Sequence, residues 1–124
     1  MATRMLIVDD SGFVRTLHDH VLRSHGFETL LVDGGSAALE ALERQTCDLA
    51  VIDVNMPRMD GLTLTRHIRA ATATADLPII MLSAERDDRD VARGIEAGAN
   101  VYVCKPTDPE ALVQNVRMLL GPGI

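Results

Sequence analysis

Tryptophan is absent from this chain of 124 residues, tyrosine occurs once (Tyr102) and phenylalanine twice (Phe13 and Phe27). Lysine is nearly absent as well: eleven Arg stand against one Lys, Lys105, and no dense basic cluster accompanies a net charge of -6. That balance argues against direct nucleic-acid binding, which depends on neutralising phosphates. No apolar run approaches the roughly 20 residues of a membrane span, and Met-Ala-Thr-Arg lacks an apolar signal core, so we expect a cytoplasmic protein that engages no membrane. The two cysteines, Cys47 and Cys104, have no CxxC spacing and read as reduced buried thiols. His18, His20, His25 and His67 read as surface residues.

Short apolar runs alternate with amphipathic stretches, and no repeat or linker interrupts them. The order is βα repeated five times: strands at Met5 to Asp9, Glu28 to Val32, Leu49 to Val54, from Pro78, and at Val101 to Cys104. Between them the three- and four-residue spacing of Val14, Leu17, Val21 and Leu22, and of Leu64 and Ile68, predicts helices. A fourth helix is expected over Asp87 to Ala97 with Val91 and Ile95 inward and Gly94 as a weak point. The last starts with Asp108 as N-cap and Pro109 at its first position, buries Leu112, Val116 and Leu119, and ends at Gly121-Pro122-Gly123. Such alternation predicts an α/β fold: one doubly wound, five-stranded parallel sheet in a three-layer αβα, flavodoxin-like arrangement, with the whole of 1–124 as a single domain.

Four polar sets stand at the carboxyl ends of the runs: Asp9-Asp10, Asp53, Ser83 and Lys105. In an open parallel sheet these converge on one edge, where such folds bind ligands. Asp53 is an anomaly inside a run otherwise apolar on successive residues. Three carboxylates crowded together need a raised pKa or a bound cation, which makes a metal site the leading expectation. Lysine, a compact point charge, suits one oxygen in a tight pocket better than the arginine fork.

Asp9-Asp10, the segment Asp53-Val54-Asn55-Met56-Pro57-Arg58-Met59-Asp60-Gly61, Ser83-Ala84 and Lys105-Pro106 together resemble the receiver domain of bacterial response regulators, in that family's order and spacing and over essentially the whole chain. The single-domain chemotaxis type is the nearest in kind. The resemblance implies that Asp53 accepts a phosphoryl group from a histidine kinase or phosphotransfer protein. It implies Mg²⁺, with Mn²⁺ as an alternative, held by Asp10, Asp53 and the Asn55 backbone carbonyl, with Asp9 acting largely through a bound water. Lys105 and Ser83 would contact phosphoryl oxygens, and Ser83 with Tyr102 would form a switch that reshapes the surface of helix four, strand five and helix five for a downstream protein. Asn55 and Glu85 are the residue types of receivers that lose their phosphoryl group quickly, and Lys105-Pro106 is expected to be cis. Thr107 departs from the phenylalanine common after that proline.

The same resemblance leaves the chain as a monomer, or a dimer on phosphorylation, that catalyses only its own phosphorylation and dephosphorylation. Alternatives are a receiver belonging to a longer regulator or hybrid kinase, a Mg²⁺-dependent phosphatase with an aspartyl-phosphate intermediate, and an inert interaction module. Asp9-Asp10 lacks the two-residue spacing of the phosphatase nucleophile and acid.

Overall fold

A computed structural model describes residues 2–121. Five strands, β1 (Arg4–Val8), β2 (Glu28–Val32), β3 (Leu49–Asp53), β4 (Ile79–Ser83) and β5 (Val101–Cys104), form one sheet in the order β2-β1-β3-β4-β5, parallel throughout. Between and after them run α1 (Gly12–Ser24), α2 (Gly35–Arg44), α3 (Gly61–Ala70), α4 (Asp88–Ala97) and α5 (Pro109–Leu120), with a 3₁₀ turn at Thr72–Thr74. This is the expected doubly wound αβα sandwich. Pro122 and Gly123, read as the end of the last helix, lie outside the described residues.

Strand side chains alternate between the two faces, and two cores result. Leu6, Val8, Ala50, Ile52, Ile79 and Met81 pack with Ala38 of α2 and with Leu64 and Ile68 of α3. Met5, Ile7, Leu49, Val51, Ile80 and Leu82 pack with Leu22 of α1 and with Leu112, Val113 and Val116 of α5. Every residue of β3 and β4 is buried.

Parity also sorts the residues at the strand tips. Continuing the alternation past each last core residue puts Asp9, Asp53 and Lys105 on the α1/α5 face, and Ser83 on the α3/α4 face with Tyr102. A single edge therefore offers an acid-and-ammonium cluster to one side and a hydroxyl with an aromatic ring to the other.

Several expectations need correction. β3 stops at Asp53 and β4 starts at Ile79, since Pro78 contributes only its carbonyl, which accepts from the Ala50 amide. His18 is buried, because α1 turns the row through His18 and Leu22 inward and leaves Leu17 41% exposed and Phe13 81% exposed. Burial lowers the His18 pKa, with Asp9 opposing and Lys105 assisting, so the imidazole is neutral at pH 7. In α4, Ile95 points outward at 47% exposure and Gly94 faces the core. Cys47 is buried as expected, but Cys104, on an edge strand, is half-buried; both are free thiols.

Candidate functional site

Local sequence explains how each group is held. β3 delivers Asp53 to the sheet edge with 3% of its surface exposed. The chain then turns through Asn55–Asp60, and Asp60 caps α3 by accepting a hydrogen bond from the Thr63 amide at 2.8 Å. Gly61 lets that helix start directly against the strand end. A methyl group there would overlap the Asp53 carbonyl oxygen and lie 2.8 Å from the Val54 Cα and 3.0 Å from the Asp53 carbonyl carbon. Those are backbone atoms with nowhere to go. Gly61→Ala should therefore lower stability by about 1–3 kcal/mol, the range for overpacking a tight site, read as a reduced denaturant midpoint.

At the centre, the Lys105 Nζ donates to Asp53 Oδ1 at 3.0 Å and to Asp9 Oδ2 at 3.4 Å. The Asn55 amide donates to the same Asp53 oxygen at 3.4 Å, and the Ser11 amide to Asp9 Oδ1 at 2.9 Å. Asp9 is 2% exposed and Asp10 is exposed, and one carboxylate oxygen from each of Asp9, Asp10 and Asp53 lies within 4.8 Å of the others. Burial raises the Asp53 pKa, the Lys105 hydrogen bond counteracts it, and the Asp9 charge adds to the rise. For Lys105, burial works to lower the pKa, but the hydrogen bond and charge of Asp53, reinforced by Asp9, carry it above the ordinary lysine value. One ammonium, bonded to two of them, thus stands against three clustered carboxylates. The excess of negative charge and the all-oxygen donor set fit a hard divalent cation, and neither thiolate nor imidazole is in the set.

Ser83, fully buried, accepts at Oγ from the Glu85 amide at 3.0 Å. The Tyr102 hydroxyl donates to the Glu85 carbonyl at 2.9 Å, and the ring packs on the α3/α4 core. Arg86 donates to the Lys105 carbonyl at 3.0 Å. The loop from Ala84 to Arg86 is thereby tied to Ser83, Tyr102 and Lys105 together. The Lys105-Pro106 peptide is cis. Asn55 and Glu85 are both exposed at the rim.

Three contributors had no structural role assigned from the sequence. Arg15 donates to the Asp9 carbonyl at 2.6 Å from the first turns of α1. Gly61 and Gly94 act by what they lack, and spacing does not reveal close approach.

The response regulator receiver domain family matches residues 5–117. This chain belongs to that family. Among curated relatives, the DNA-binding response regulator MtrA of Mycolicibacterium smegmatis is 40% identical over 97% of this receiver and 51% of its own length. The phosphate regulon transcriptional regulatory protein PhoB of Escherichia coli is 31% identical over 97% of this chain and 52% of its own. The receiver spans about half the length of these relatives. Among solved structures, a putative response regulator from Chloroflexus aurantiacus superposes with a TM-score of 0.93 at 38% identity, covering 97% of this chain and 98% of that one. The chemotaxis protein CheY4 of Vibrio cholerae gives 0.91 at 30% identity, covering 95% and 98%. The receiver is a phosphorylation-activated switch, as its family is. No helix among the described residues is long and apolar enough to cross a membrane.

Proposed function

We propose that Asp53 is the phosphoacceptor of this receiver and that a histidine kinase or phosphotransfer protein is the donor. The observation that carries this is the Asp53 carboxylate, 97% buried from solvent yet held at 3.0 Å by the chain's one lysine, with two further carboxylates beside it. An Asp53 oxygen forms a bond to phosphorus while the P–N bond to the donor imidazole breaks. The imidazole keeps the electron pair and takes a proton from water. Bringing a carboxylate to a phosphoryl dianion is opposed by charge, so positioning and neutralisation supply most of the catalysis. The Lys105 Nζ, already on Asp53, is placed to shift to a phosphoryl oxygen, and Ser83 Oγ can turn from the Glu85 amide to another. Asp10, Asp53 and the Asn55 carbonyl would hold Mg²⁺, or Mn²⁺ in its place, with Asp9 behind them. The ion would neutralise charge on the transferring group.

A donor has to cover the open side of Asp53. The adjoining surface carries exposed Phe13, Leu17 and Pro106 around a cleft of about 430 Å³ that reaches Lys105 and Thr107. That apolar rim suits the helix bearing a phosphohistidine. Output through α4, β5 and α5 to a protein target is supported by Tyr102, which joins β5 to the loop before α4.

Incubation with acetyl phosphate and Mg²⁺, followed by mass spectrometry, tests the reading: a transient gain of one phosphoryl group is expected, lost in Asp53→Asn. Steady turnover of varied phosphoesters would indicate the phosphatase, and no gain the inert module. The Asn55 side-chain amide stands at the rim where it can orient attacking water, so the phosphoprotein should decay in well under many minutes with Mg²⁺ present, and Asn55→Lys should lengthen its lifetime severalfold, as followed by loss of the phosphorylated mass.

The half-length match to MtrA and PhoB favours a second form of the same reading, in which this receiver controls an output domain in a longer protein. Near-complete coverage of CheY4 favours a receiver acting on a separate partner. Phosphorylation-dependent dimerisation is then read by light scattering before and after acetyl phosphate.

A further inference from the structure

Glycine inside a ten-residue helix normally costs stability relative to alanine. Gly94 holds such a position in α4, and it is buried while its neighbours Arg93 and Ile95 are exposed. The space its side chain would take is occupied. A methyl group built on Gly94 would lie 2.6 Å from Cδ2 and 3.0 Å from Cε2 of Tyr102, and 3.0 Å from the Met81 Sδ. The Met81 Sδ, near the flexible end of its side chain, need give only a few tenths of an ångström, whereas the closer Tyr102 ring has to shift, and on an edge strand, half-buried, it can leave toward solvent.

We propose that Gly94 is a positioning residue for Tyr102: the missing side chain is the seat of the ring, and the inward ring exists only because position 94 has none. The consequence reaches the phosphorylation site. From its seat, the ring presents its hydroxyl to the Glu85 carbonyl, while the amide of the same residue is bound by Ser83 Oγ. The phenol is protonated at neutral pH, so the hydroxyl can donate, and burial raises its pKa further. Glu85 is thus held through its amide from the acceptor side and through its carbonyl from the ring. With the ring expelled, the Ser83 contact and the weak hydrogen bond from the Cys104 thiol to the Glu85 carbonyl at 3.7 Å would remain, and the surface beside α4 would carry an exposed ring in place of a packed one.

The packing claim stands alone; its bearing on signalling rests on Asp53 being the acceptor. Because Tyr102 is the one tyrosine and tryptophan is absent, tyrosine fluorescence and near-ultraviolet circular dichroism report this ring. In the unphosphorylated protein, Gly94→Ala is expected to shift acrylamide quenching toward that of free tyrosine, to diminish the near-ultraviolet signal and to lower Tm. In a Tyr102→Leu background, with no ring to displace, Gly94→Ala should instead raise Tm, as alanine does inside a helix, and this double variant covers the case in which Gly94→Ala alone does not fold. Additive Tm changes, or an unchanged tyrosine signal in folded Gly94→Ala, would overturn the proposal. Beryllofluoride binding at Asp53, measured separately in the same proteins, tests the acceptor reading. If it fails while the tyrosine signal moves, Asp53 is not the acceptor and the seat remains.

Discussion

Asp53→Asn should abolish phosphorylation and, at the same time, make the metal-free protein more stable. Loss of phosphorylation follows from loss of the nucleophile. The gain in stability follows from electrostatics: Asp53 is buried beside Asp9 and Asp10, and the one ammonium among them is shared. Its folded pKa lies above its ordinary value, so the folded state binds more protons than the unfolded state between the two values. Stability is therefore full below the unfolded pKa and falls as pH rises through the folded one, leaving a penalty at pH 7. Replacing the charge by an amide removes that penalty, on the order of 1–2 kcal/mol for a poorly compensated buried group. For a domain of this size the gain is read as a Tm rise of about 4–8 °C at neutral pH. The difference should shrink as the pH is lowered toward the ordinary carboxylate range, where both proteins are uncharged at position 53. Mg²⁺ should raise the wild-type Tm by mass action and do so much less in the variant.

Lys105→Met should do the reverse. The apolar stem is kept and the charge lost, leaving Asp53 and Asp9 without their shared donor. Removing one partner of a buried ion pair costs about 3–5 kcal/mol; with Asp10 open to water, the lower end of that range is expected. The sign with pH follows from the shifts. The raised Lys105 pKa means that its contribution is complete below the ordinary lysine value and is lost only as pH climbs through the folded one, so the wild type keeps it throughout the neutral range. In the variant the carboxylates lose the interaction that lowered the Asp53 pKa, and stability should recover as the pH falls and they protonate. Phosphorylation should slow by about a hundredfold, the scale for deleting one donor aimed at developing charge, as measured by the initial rate with acetyl phosphate and Mg²⁺. Equilibrium unfolding across pH reads the stability arm.

Both variants test a cluster whose members were visible in the chain as strand-end residues. Alternation of apolar and amphipathic segments is a strong signal where strands are buried on both faces, which is why the central β3 and β4 read as continuous apolar runs and Asp53 stood out within one. Strand parity further explains why Asp9, Asp53 and Lys105 share a face. What escaped the sequence depended on helix rotation and close approach. Three- and four-residue spacing placed Leu17 inward on α1, but packing uses the row through His18 and Leu22, and an imidazole is inward there. On α4 the count of apolar side chains pointed Ile95 to the core, where the helix turns its glycine instead, because the Tyr102 ring fills the space. A periodicity of side chains has no way to register a position whose function is to have none. The same holds for Gly61 against the Asp53 carbonyl.

A crystal structure of the protein with Mg²⁺ and beryllofluoride addresses the central assignment most directly. The adduct should sit on a carboxylate oxygen of Asp53, with the Lys105 Nζ moved from that carboxylate to a fluoride. An Asp53 left free under saturating beryllofluoride, or an adduct formed on Asp9 or Asp10 instead, would contradict it.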